Sequence, residues 1–169
     1  MVIVVMGVAG CGKTTVGRAL AERLEMPFQE GDALHPPANV AKMAGGTPLT
    51  DDDRTPWLTA VAAWIDERRR AGTGGVISCS ALKRAYRRVL VGDRPDVRLV
   101  YLQGDEPLLA ARLAARTDHF MPASLLASQL ATLEEPAASE RPIVVSAALP
   151  VARLVDTLVP LVATAASNP

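Results

Sequence analysis

The chain has 169 residues, 49% of them apolar, enough for one domain with a sizeable buried core. Its 18 Lys and Arg balance 18 Asp and Glu, with a pI near 6.7. That balance argues against nucleic acid or an anionic membrane as a main partner and confines any anion site to a local cluster. The two cysteines, Cys11 and Cys79, are too few for a disulfide framework and no Cys/His cluster has zinc-ligand spacing. No stretch approaches the ~20 apolar residues that span a bilayer and no basic leader opens the chain, so a cytoplasmic location is expected.

The first predicted element is "VIVVM" (2–6), apolar throughout, as in strands covered on both faces of a parallel sheet. A glycine-rich stretch follows, and then a helix marked by Val16, Leu20 and Leu24. "PFQEG" (27–31) is a weaker strand. Trp57, Val61, Trp64 and Ile65 mark a second helical stripe, and "RAGTGG" (70–75) turns the chain into the strand "GVISCS" (75–80). The strand "VRLVYLQ" (97–103) precedes helical stripes at Leu108, Leu109, Leu113 and at Leu125, Leu126, Leu130, Leu133. "IVVSA" (143–147) is the last strand, before a helix over 151–162 that contains Pro160 and a frayed tail, "ATAASNP". Alternating strands and helices predict right-handed βαβ units in a doubly wound sheet.

Between the first strand and helix stands Gly7-Val8-Ala9-Gly10-Cys11-Gly12-Lys13-Thr14, the G-x-x-x-x-G-K-[ST] pattern in its required strand-to-helix setting. Glycines let consecutive N–H groups wrap an anion, and the helix N-terminus adds partial positive charge. Gly7, Gly10, Cys11, Gly12, Lys13, Thr14 and Thr15 are therefore candidate ATP contacts, with Lys13 reaching the β- and γ-phosphates and Thr14 holding Mg²⁺. No N-K-x-D segment reads guanine and no D-x-x-G switch follows, which disfavours a GTPase. The third strand ends in Ser78-Cys79-Ser80 without an acid, so a carboxylate must come from elsewhere. Glu30-Gly31-Asp32 supplies one at the carboxyl end of the second strand, the edge where open α/β sheets bind ligands. Asp32 is the first candidate, and Glu30 the next.

Three further segments narrow the reading: "GDALHPPANVAKMAGGTPLTDDDRTPWL" (31–58), "CSALKRAYR" (79–87) and "ARTDHFMPASLLASQLATLEEP" (115–136). In them G-D-x-x-H-P, N-x-x-K-M, G-x-P-L-x-D-x-D-R-x-P-W-L, C-S-A-L-K-x-x-Y-R and H-F-x-x-x-x-L-x-x-Q-x-x-T-L-E-x-P occur in order, and with the P-loop the chain resembles the gluconokinases over nearly its whole length. Two positions differ: Cys11 stands where a small residue such as Ser is expected, and Thr117-Asp118 where a basic or Gly-containing pair is common. The Cys11 thiol is either a small inert filler or an oxidisable group.

The resemblance implies an enzyme of the P-loop NTPase fold, nucleoside-monophosphate kinase type. It would have a five-stranded parallel sheet of order 2-3-1-4-5, helices on both faces and a helical lid at about 112–136, in one kinase domain over 1–169. It implies transfer of the ATP γ-phosphoryl group to the 6-hydroxyl of D-gluconate, with Mg²⁺, in a homodimer without nucleic-acid or membrane partners. Asp32 would accept the hydroxyl proton and reach the metal through water. His35, Arg54, Lys83, Arg87 and Gln129 offer cations and hydrogen-bonding groups suited to a polyol carboxylate, on segments expected to converge. Arg112 and Arg116, four apart on a helix, would face the triphosphate, with Lys13, Asp32 and Arg116 forming the catalytic set. Candidate adenine contacts fall near 147–150. The alternatives are a kinase of another small acceptor, such as shikimate or a nucleoside monophosphate, and a non-catalytic nucleotide-binding module.

Several of these residues also have plain structural readings. His35 before Pro36-Pro37 can serve a turn. Trp57 and Trp64 suit core anchors better than base platforms. Asp51 to Asp53 suit a helix start, Arg68 to Arg70 a helix end, and Arg84 and Arg88 solvated surface.

Overall fold

The computed structural model describes residues 1–115 and 123–164. Five parallel strands, β1 (Val2–Met6), β2 (Phe28–Glu30), β3 (Gly75–Ser78), β4 (Val97–Gln103) and β5 (Ile143–Ser146), form one sheet in the expected order β2-β3-β1-β4-β5. All five residues of β1 are fully buried because the sheet is covered on both sides. Alternation along the strand divides them. Ile3 and Val5 face a core shared with α1 (Lys13–Arg23) and α7 (Val151–Thr164). Val2, Val4 and Met6 face α3 (Asp51–Arg70) and α4 (Arg84–Leu90). Each such Val or Ile contributes roughly 1.5–3 kcal/mol by leaving water. A Val4→Asp change would remove one and bury a charge.

The helices follow from local chemistry. Thr50 caps α3 by accepting the N–H of Asp53 at 3.2 Å while the Asp53 carboxylate accepts the N–H of Thr50 at 2.9 Å. The three acids of the first turn and the three arginines of the last complement the helix dipole. Trp57 is the core anchor of this helix, and Trp64 is half-buried with its ring against Gly75. At the amino-terminal edge of the sheet, Asp66 takes two hydrogen bonds from Arg94 at 2.7 Å and one from Arg69 at 3.1 Å. The final helix continues through Pro160 to Thr164. Its stripe of Leu154, Val155, Leu158 and Val162 is buried against the core, which outweighs the lost backbone hydrogen bond.

The remaining helices are α2 (Pro37–Ala44), α5 (Glu106–Ala114) and α6 (Ala123–Thr132), with a short 3₁₀ turn at Gly31–Leu34. Among the described residues α2 and α4, of eight and seven residues, are not expected from the sequence, because each is only about two turns long and its apolar stripe ends before it repeats. Because every strand is parallel, the P-loop, the Glu30-Gly31-Asp32 segment, the Ser78-Cys79-Ser80 segment and the turn after β5 all emerge at one edge of the sheet.

Candidate active site

The P-loop leaves β1 at Gly7 and enters α1 at Lys13. Gly7, Gly10 and Gly12 have φ of 145°, 85° and 95°, and a Cβ on Gly7 would meet Cys11 Sγ at 2.7 Å and the Leu102 carbonyl at 2.9 Å. Cys11 is 1% exposed, so the thiol is a filler against Gly7 and the oxidisable reading loses its access. Cys11 N–H donates to the Val8 carbonyl at 3.3 Å, and Ala9 N–H donates to Gln129 Oε1 at 2.7 Å. The N–H groups of Gly10, Gly12, Lys13, Thr14 and Thr15 have no acceptor among the described residues. Five donors at a helix start, with no side-chain cap, form an anion cradle. Lys13 Nζ rests on the Val8 carbonyl at 3.1 Å, poised at the same cradle.

Beside the loop, Arg112 at the end of α5 lies 3.5 Å from the Cys11 carbonyl. Arg112 also borders a cavity of about 250 Å³ closed by Thr15, Val16, Ala147 and Leu149. Gly10, Cys11 and Gly12 also line it, so the cavity is continuous with the cradle. It includes part of the segment expected to contact adenine. Arg116, Thr117, Asp118, His119 and Phe120 lie outside the described residues.

The acid segment is fixed by backbone contact. A Cβ on Gly31 would stand 2.1 Å from the Ser78 carbonyl, so only glycine lets the ends of β2 and β3 meet here. The Ser78 hydroxyl donates to Glu30, which leaves Glu30 half-buried and engaged, and Trp57 Nε1 donates to the Gly31 carbonyl at 2.8 Å. Asp32 is left exposed. Burial pushes the Cys79 thiol up to about 12, and the charges that act on it include Asp32, Lys13 and Glu30. The parallel pairing of β1 and β2 with β3 brings the segments that carry all three to the same edge of the sheet.

The acceptor side is a set of side chains bound to one another. His35 stacks on Trp57 with ring centroids 4.3 Å apart, and burial holds its pKa below the ordinary value, opposed by Asp32 and assisted by Arg54. Asn39 Nδ2 donates to the Asp53 carbonyl at 2.7 Å and lies 3.3 Å from His35 Nδ1, so Nδ1 accepts and the neutral ring carries its proton on Nε2. Lys42 pairs with Asp53 at 2.7 Å. Lys83 binds both oxygens of Asp51 at 2.8 and 2.7 Å, and the Tyr86 hydroxyl donates to the same carboxylate, whose pKa these two donors lower. Arg54 lies 3.9 Å from Asp51 and donates to the Leu49 carbonyl at 2.6 Å. The structure thus brings His35, Arg54 and Lys83 together beside Asp32's segment. Asp51, Tyr86 and Asn39, not assigned a ligand role from the sequence, join them. Their motif positions were the available signal.

Two expected substrate contacts go elsewhere. Arg87 is 2% exposed: Nε and Nη2 bind Glu140 at 2.6 and 3.0 Å, and Nη1 donates to the carbonyls of Ala81, Leu82 and Glu134. Its guanidinium is spent on joining segments and is not offered to a ligand. Gln129 reaches the P-loop through Ala9, as given above, and no contact places it among the acceptor-side cations.

Glycine-rich loop, engaged lysine, an acid at the end of a neighbouring strand and a parallel sheet define a P-loop kinase. The family described as "AAA domain" matches residues 2–136. A gluconokinase of Gluconobacter oxydans (strain 621H) is 58% identical over 144 residues, spanning 85% of this chain and 81% of that protein. The thermoresistant gluconokinase of Escherichia coli (strain K12) is 42% identical over 85% of this chain and 82% of its own. A solved gluconokinase from Sinorhizobium meliloti 1021 superposes with a TM-score of 0.87 at 50% identity, covering 99% of this chain and 94% of that one. The chain belongs to the gluconokinase family. A shikimate kinase of Aquifex aeolicus, at 15% identity and a TM-score of 0.62, shares the fold.

Proposed function

We infer that the protein transfers the γ-phosphoryl group of ATP to the 6-hydroxyl of D-gluconate, giving 6-phospho-D-gluconate and ADP. The observation that carries the reading is a five-amide anion cradle with Lys13 at the sheet edge where the Asp32 segment also emerges, in a chain 58% identical to a gluconokinase. In this reading the triphosphate occupies the cradle and the base enters the 250 Å³ cavity between Arg112 and Leu149. Lys13 exchanges the Val8 carbonyl for phosphate oxygens. Gluconate lies against Asp32, its carboxylate near Lys83 and Arg54 and its hydroxyls near His35 Nε2. Asp32 takes the proton of the 6-hydroxyl as that oxygen bonds to the γ-phosphorus, and the bond from phosphorus to the bridging oxygen breaks, releasing ADP. Arg112, with Arg116 by family resemblance, balances the phosphate charge.

Among the described residues no group of three or more His, Cys, Asp or Glu is placed to hold a metal alone. That fits Mg²⁺ carried in with the nucleotide: Thr14 hydroxyl and phosphate oxygens would hold it, with Asp32 through water, and it would supply positive charge to the phosphates. No helix among the described residues is long and apolar enough to cross a membrane. A single kinase domain with a lid at about 112–136, a cytoplasmic location and a homodimer without nucleic-acid partners complete the proposal, the last tested by mass in solution.

The test is ADP release from ATP with D-gluconate, with shikimate and nucleoside monophosphates as parallel acceptors. Release with D-gluconate alone is expected. Release with shikimate or a monophosphate instead identifies another acceptor, and ATP binding without any acceptor-dependent release identifies a nucleotide-binding module.

A further inference from the structure

The phosphate loop is held from outside by a residue of α6. Gln129 Oε1 accepts the N–H of Ala9 at 2.7 Å across 120 residues of sequence. Ala9 is 8% exposed, so without that oxygen its N–H would be left without a partner where water barely reaches. The contact sits at the first half of the loop, where Val8 already accepts from Cys11 and Lys13. The chain just beyond α6 is fixed to the sheet side: Glu134 N–H donates to the Leu82 carbonyl at 2.9 Å, Glu134 Oε2 accepts from Arg84 N–H at 2.6 Å, and Glu135 accepts from Gln103 at 3.0 Å. Gln129 therefore joins an anchored helix to the peptide that opens the anion cradle.

We propose that Gln129 is a positioning residue for phosphoryl transfer: its carboxamide ties α6 to Ala9 and keeps the phosphate loop in the shape that aligns the transferred group. This rests on the kinase reading above. A gluconate contact would instead require the carboxamide to leave the loop.

The experiment compares wild type with Gln129→Leu, which removes the acceptor at similar volume, and Gln129→Glu, which keeps an oxygen for Ala9 but adds a charge. Two readouts are taken: steady-state kinetics with ATP and D-gluconate, and exchange of the Ala9 amide by NMR without ligands. Gln129→Leu is expected to speed Ala9 exchange at least tenfold, to lower kcat about tenfold and to leave KM for D-gluconate within about twofold. Gln129→Glu is expected to keep Ala9 exchange slow and kcat within about threefold while raising KM for ATP. A tenfold rise in KM for D-gluconate at unchanged kcat in Gln129→Leu would make Gln129 a substrate contact and overturn the proposal, as would unchanged Ala9 exchange. Should Gln129→Leu not fold, collapse of kcat in Gln129→Glu overturns it. A wild type inactive on D-gluconate defeats the kinase reading alone, and the exchange comparison still decides the tie to Ala9.

Discussion

Around the phosphate loop the recognition groups are five backbone amides with nothing to bind among the described residues, whereas around the acceptor they are side chains already bound to one another. The amides are set by φ angles and by packing of Cys11 and Leu102 on Gly7, so they have one arrangement and need no reorganisation when a triphosphate arrives. Lys83, Arg54 and Tyr86 cluster on Asp51, so in the proposed binding mode a gluconate carboxylate would share or displace a carboxylate the protein itself provides. The nucleotide half is thus preorganised, while the acceptor half is held in a provisional set of ion pairs. Those pairs lie at the surface, where water weakens them and leaves them open to exchange.

The comparison can be broken most forcefully at Arg87, which ties the acceptor-side segment 81–87 to Glu134 and Glu140 from a buried position. Arg87→Met strips the carbonyls of Ala81 and Glu134 of their donor and leaves the Glu140 carboxylate without its buried countercharge, and is expected to lower unfolding free energy by about 3–5 kcal/mol in urea titration. A stable Arg87→Met protein with a raised KM for D-gluconate would return Arg87 to the substrate. Next in size, Lys13→Ala is expected to cut kcat about a hundredfold or more, about 3 kcal/mol of transition-state stabilisation, with the fold intact by circular dichroism. Lys83→Met sharpens the separation of the halves: KM for D-gluconate should rise about tenfold while ATP affinity by calorimetry changes less than about twofold.

The smallest effect lies outside the site, at Asp66, whose carboxyl its arginine partners, Arg94 first, hold at about 2 against an ordinary 3.8. A depressed carboxylate pKa stabilises the fold above the unfolded value and loses that contribution as pH falls from about 4 through about 2. Asp66→Asn should therefore cost about 1 kcal/mol at pH 7 and nothing below pH 2, read by thermal melts across pH.

The two halves also differ in how far the sequence revealed them. The strands, the anion cradle and the place of Asp32 were legible because they depend on backbone conformation, which glycine spacing and apolar runs encode locally, whereas the order of the strands in the sheet came only with the resemblance to the gluconokinases. Residue type and motif position also led to the convergence of His35, Arg54 and Lys83. Arg87 and Gln129 were not legible in the same way. Arg87 stands one helical turn from Lys83, yet Glu140 from 53 residues on draws it inward. Gln129 meets Ala9 only because α6 folds back over the loop. The destination of a long polar side chain is set by partners far along the chain. The helix α2 has a short apolar stripe at Val40 and Met43, but that stripe is exposed and the polar Asn39 is the buried residue, so its pattern misreports which face packs.

The measurement closest to the central claim, a preformed nucleotide half serving an acid whose main work is to take the acceptor's proton, is turnover of Asp32→Asn at saturating ATP and D-gluconate beside its ATP affinity without acceptor. Asparagine keeps the shape but takes no proton. Turnover should fall about a hundredfold or more while the Kd for ATP stays within about threefold. Turnover near wild type would contradict the account and pass the role of base to Glu30, and a collapse of ATP binding would mean that Asp32 belongs to the nucleotide half.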